Sequence, residues 1–198
     1  MKKANVLKIW EASLLLALSL SLCIGTWAGA RQSSIASSLV RLHVLAHSND
    51  EEEQALKLRV RDAVLEYISP KLDGVGTAPE ARLILEKEME GIAMAAASAA
   101  EGRPVQLELG QEAYPTRHYE GFSLPAGRYE SLRVSIGEGA GENWWCIVFP
   151  PVCLSAVQSE PVEAVMNRED YALVTNRDGW ELRFRAVELW GELAEKFS

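Results

Sequence analysis

At Pro104 the apolar repeat of this chain changes from about 3.6 residues to about 2, and that change limits what it can fold into. Before it, Leu56, Val60, Val64 and Tyr67 recur at helical spacing, with Ala63 beside them. Leu85, Met89, Ile92, Ala96 and Ala99 form a second helical stripe. After it, Val105, Leu107 and Leu109 alternate with polar residues, as do Leu132, Val134 and Ile136. Leu39 to Ala46 is apolar and β-compatible, and precedes the helices. The predicted order is a strand, two helices, then an antiparallel meander. This is an α+β fold with the helices packed on one face of an antiparallel sheet. A short C-terminal helix over Ala186 to Lys196 completes it.

Punctuation residues set the expected boundaries. Ser48 with Glu51, and Thr77 with Glu80, have capping-box spacing. Ser69-Pro70 stops the first helix and Gly102 the second. Thr116 to Phe122 reads as a partner strand, Gly137 to Gly141 as a hairpin turn, and Asn143 to Phe149 as an aromatic strand. Trp180, Leu182 and Phe184 alternate once more, and residues 155–178 read as loop with a short helix.

The amino terminus obeys other rules. Lys2, Lys3 and Lys8 precede a segment, Ala12 to Ala30, that holds no charged residue. Ala28-Gly29-Ala30 has the small-residue spacing of a signal-peptidase site. As helix the uncharged stretch is about 28 Å long, close to a bilayer core. Residues 1–30 are therefore either a cleaved signal peptide or a retained membrane anchor. Residues 31–38 read as a polar linker and 39–198 as one domain. After residue 30 the chain carries 17 basic and 27 acidic residues without a Lys/Arg cluster, so no nucleic-acid partner is expected. Membrane contact is expected only through residues 12–30, if they are retained.

No catalytic residue set, cofactor or metal site is expected. There is no Gly-x-Ser-x-Gly elbow. His43 and His47 share a strand face, but a zinc site needs a third ligand, and none is obvious. Gly137 to Gly141 lacks the following Lys-Ser/Thr of a phosphate loop, and Asp50 to Glu53 lacks the alternating ligands of a calcium loop. Cys146 and Cys153 are the two cysteines beyond the export segment. A disulfide, two buried thiols, or a Cys146 nucleophile served by a histidine all fit that spacing. Trp144 and Trp145 are adjacent on a strand and so point to opposite faces. They are the candidate partner contacts, since exposed aromatic rings anchor interfaces.

Arg41 to Asp50, continuing through Gln54 to Val64, resembles the opening of the stage II sporulation protein R family of endospore-forming bacteria. Asn143 to Cys153 is similar to that family's second signature, and Leu124 to Gly127 and Leu182 to Leu189 also fit. His47 stands where that pattern has Asn. The resemblance implies a non-enzymatic signal made in the forespore and exported toward the space between forespore and mother cell. Its implied partner is the extracytoplasmic face of a membrane-embedded aspartic protease of the mother cell, which then cleaves pro-sigma factor E. The Cys146 hydrolase and a passive structural protein of the septal space are the rival readings.

Overall fold

The computed structural model describes residues 2–119, 121–153 and 160–175. Helix α1 (Lys2–Ser37) leads into strand β1 (Val40–Leu45), followed by α2 (Glu51–Leu72), α3 (Ala78–Lys87) and α4 (Met89–Ala99). Then come β2 (Val105–Tyr114), β3 (Arg117–Tyr119), β4 (Phe122–Leu124), β5 (Gly127–Ile136) and β6 (Asn143–Phe149). Two short helices follow, α5 (Glu160–Val165) and α6 (Arg168–Val174). The fold is α+β. The expected strand at 180–184 and helix at 186–196 lie outside the described residues.

The sheet differs from the expected antiparallel meander. Its order is β2-β5-β1-β6, and β1 runs parallel to β5 while the other neighbours are antiparallel. β1 sits inside because every one of its residues is buried, which only a strand covered on both faces can achieve. Consequently β5 and β6 are not a hairpin, and Gly137 to Gly141 crosses the end of β1 instead. β3 and β4 form a separate two-stranded hairpin.

Alternation on β1 divides the interior. Val40, Leu42 and Val44 face a core shared with Leu56, Val60 and Val64 of α2, Leu85 of α3 and Ile92 of α4. Arg41 and His43 face the other side of the sheet. There Leu39, Tyr114, Tyr129, Ile147 and residues of α5 and α6 form a second core.

The helices also depart from expectation in detail. α2 continues past Pro70 to Leu72, because a proline in the last turn removes just one backbone donor. The expected second helix is two helices. Glu88 ends α3 and starts α4, its amide shared between the Ile84 and Leu85 carbonyls. The Glu88 carboxylate accepts from the Tyr67 hydroxyl at 2.7 Å and pairs with Lys71 at 3.0 Å. Gly91 lies against that Tyr67 hydroxyl, where any β-carbon would collide. Gly91→Ala should therefore lower stability by about 1–2 kcal/mol in urea unfolding, overpacking outweighing the gain in helix propensity.

α1 is long and apolar enough over Lys8–Ser37 to cross a membrane, and its large apolar side chains from Ile9 to Trp27 are exposed. Residues 31–37 are not a tether. They are the last turns of α1, with Ile35 and Ala36 packed into the second core. A glycine on the sheet side lets the helix approach closely: a β-carbon on Gly127 of β5 would meet the Gln32 side chain.

Candidate functional site

The sheet face opposite α2–α4 carries most of the buried polar chemistry. Registry places His43 between Arg133 and Trp145, and Arg41 between Ser131 and Ile147. Glu112 and Tyr114 approach from β2. The His43 Nδ1 contacts the Glu112 carboxylate at 2.8 Å and its Nε2 the Asn143 amide oxygen at 2.7 Å. The imidazole stacks on Trp145 with centroids 3.7 Å apart. Ser131 donates to the other Glu112 oxygen at 2.9 Å, and its oxygen lies 2.6 Å from the Tyr114 hydroxyl.

This network is not a nucleophilic relay. In a serine relay the histidine stands between hydroxyl and carboxylate. Here the carboxylate stands between Ser131 and His43, and both imidazole nitrogens are already engaged. Burial works to raise the Glu112 pKa. The His43 hydrogen bond and charge, the Ser131 hydroxyl and Arg133 outweigh it and hold the pKa below the ordinary 4.5. A lowered folded-state pKa contributes stability above the unfolded value and loses it as pH falls through the folded value. Stability should therefore decline from about pH 5 downward, and Glu112→Gln should flatten that decline in denaturant titrations at stepped pH.

Arg41 is fully buried. Its guanidinium lies 3.8 Å from the Tyr114 ring centroid and 5.0 Å from that of Tyr129. Its Nη2 donates to the Tyr119 hydroxyl at 2.6 Å, while Nε and Nη1 have no hydrogen-bond partner among the described residues. Burial raises the pKa of Tyr114 and Tyr129, with the Arg41 charge opposing it, so both phenols stay protonated at neutral pH.

The residues singled out from sequence have separate places. Trp145 belongs to this polar face. Trp144 belongs to the helix side, half-buried, with the Arg61 guanidinium 4.4 Å from its ring and its indole nitrogen unpartnered among the described residues. Cys146 and Cys153 are joined by a disulfide, Cα atoms 6.1 Å apart, so Cys146 offers no thiol here. His47 does not join His43; its Nδ1 accepts from the Glu138 amide at 3.1 Å. Among the described residues no group of three or more His, Cys, Asp or Glu could hold a metal ion. Sequence reasoning missed Arg41, Glu112 and Tyr114. Two polar residues at period two in an otherwise apolar strand were the available signal for Arg41 and His43.

The two long segments singled out by resemblance meet in space. β1 pairs with β6 along its length, and the loops beyond them interlock. The Gly141 amide donates to the Ala46 carbonyl, the Glu142 amide to the Asn49 side chain, and the Lys57 ammonium to the Glu142 carbonyl. A β-carbon at Gly141 would strike the Ser48 carbonyl. Fold and site together define an α+β domain on an apolar helical stem, its polar–aromatic sheet face built from those two segments together with β2 and β5. The family model described as stage II sporulation protein R matches residues 36–159, more than half of the chain. The chain belongs to the stage II sporulation protein R family. Stage II sporulation protein R of Bacillus subtilis (strain 168) is 31% identical over 140 residues, covering 69% of this chain and 62% of that protein. The chain thus spans less than two thirds of that relative's length. No solved structure matches it.

Proposed function

We propose that this chain is an exported sporulation signal rather than an enzyme. It leaves the forespore through its apolar N-terminal helix and reaches the intermembrane space, either released or held by that helix. There it binds the extracytoplasmic face of a membrane-embedded aspartic protease of the mother cell, which then cleaves pro-sigma factor E. Membership of the stage II sporulation protein R family is the observation that carries this reading. The apolar α1 and the absence of a nucleophilic relay in the network around His43 support it. Near-complete switching requires about 5.5 kcal/mol tighter binding to the active protease than to the inactive one. Trp145, and less directly Trp144, is the proposed partner contact.

Co-expression with the candidate protease and its pro-sigma substrate in a non-sporulating host tests this. Processing should depend on this chain; equal processing without it refutes the reading and leaves the passive structural role. The hydrolase alternative requires a free Cys146 thiol. Replacing both Cys146 and Cys153 by Ala should cost about 2 kcal/mol of stability yet leave processing intact below the melting range. Loss of processing by a variant that remains folded would favour the hydrolase instead.

A further inference from the structure

Beside the disulfide lies a surface cleft of about 450 Å³, lined by Arg117, Tyr119, Trp144 and Trp145 among others. Such a volume suits a few residues of a bound segment. The chain has a net charge of −8, yet no Asp or Glu among the described residues lines this cleft. Arg117 makes no ion pair among the described residues. Its guanidinium sits 5.3 Å from the Trp145 ring centroid, and its Nε is shielded from water with no hydrogen-bond partner among the described residues. Behind the cleft, the Tyr119 hydroxyl accepts from fully buried Arg41, which likewise has no carboxylate partner among the described residues. Two guanidinium groups without an ion-pair partner among the described residues thus bias one cleft toward a negatively charged ligand, and a buried cation without a counter-ion is costly.

We infer that this cleft binds an extended acidic segment of a protein partner, with a side-chain carboxylate taken by Arg117 beside Trp145. A planar guanidinium accommodates a carboxylate through paired hydrogen bonds, and a neighbouring aromatic ring supplies desolvated contact area. An anionic membrane surface fits less well, because it calls for clustered Lys and Arg. Within the proposed function, and resting on it, this segment belongs to the extracytoplasmic part of the protease.

The test is peptide binding to the detergent-solubilised full chain, read from the Trp145 indole N–H resonance. The probes are acetyl-Glu-Tyr-Glu-Tyr-amide and its Gln-for-Glu counterpart. The acidic peptide should bind at least about fivefold more tightly, Arg117→Glu should abolish the difference, and Arg117→Lys should keep part of it. Arg117→Gln, checked for an unchanged melting curve, separates loss of charge from loss of fold. Equal binding of the two peptides, binding of neither, or a preference that survives Arg117→Glu overturns the inference. So does Arg117-dependent binding to phosphatidylglycerol vesicles without peptide discrimination, which would assign the arginine to lipid. Peptide discrimination without any chain-dependent processing in co-expression would leave the cleft standing and sink the proposed function.

Discussion

His43→Ala is expected to destabilise the protein by about 3 kcal/mol, far more than its single ring would suggest. The substitution removes a stacked ring from Trp145 and leaves a void at a position only 3% exposed. It also strips the Glu112 carboxylate of its hydrogen bond to the imidazole, leaving Ser131 and Arg133 at 3.8 Å, and removes the ring partner of the Asn143 amide oxygen. Glu112 keeps some solvent contact, so the cost falls at the lower end of what breaking a buried pair produces. His43→Phe retains the stack but neither hydrogen bond, and should cost about 2 kcal/mol. Urea unfolding of the full chain in mild detergent measures both. A loss below about 1 kcal/mol for the alanine variant would mean that the network is dispensable to the fold.

Asp170→Ala is the second large effect, at about 3 kcal/mol, and its consequence is local detachment. Asp170 is fully buried on α6. Its carboxylate accepts from Ser34 and Asn167 and pairs with Arg31 at 3.4 Å, so one side chain pins the end of α1 to the domain. Without it two donors lose their acceptor, and Arg31 retains Glu169 alone. The last turns of α1 should then loosen, and trypsin should cut after Arg31 at a rate at least about tenfold higher. Asp170→Asn keeps one acceptor and should lie between. An unchanged cleavage rate would show that Ile35 and Ala36 alone hold the helix end. The point bears on the proposed export: with α1 docked, a retained anchor would hold the domain directly at the membrane rather than on a tether.

Much of the local structure was legible beforehand. β1 and β6 were read within a residue of their ends, because apolar runs bounded by turn formers mark strands whatever their partners. Thr77 caps α3 as its spacing implies, its hydroxyl accepting from the Glu80 amide. The same spacing at Ser48 does not make a cap: Asp50 is the N-cap of α2, and Ser48 bonds the Asp50 side chain instead. The split of the second helix at Glu88 left no trace in its apolar stripe. Glu88 is held there by Tyr67 and Lys71, which the chain supplies some twenty residues earlier.

The candidate site was less legible than the fold. Trp145 and Cys146 stood out by type, whereas Arg41, Glu112 and Arg117 are ordinary charged residues in sequence. Their character comes from burial, and burial belongs to the assembled sheet. Sequence alone determined what depends on neighbours along the chain: the apolar N-terminal helix, the periods of helices and strands, and the α+β class. Tertiary structure decided the direction of β1 against β5, the docking of residues 31–37, and the lone cations of the polar face. Periodicity records which residues face inward but not which strand lies beside them. Strand pairing brings Arg41, Glu112 and Trp145 together from three separate stretches of chain, and only there do their charges and rings become a site.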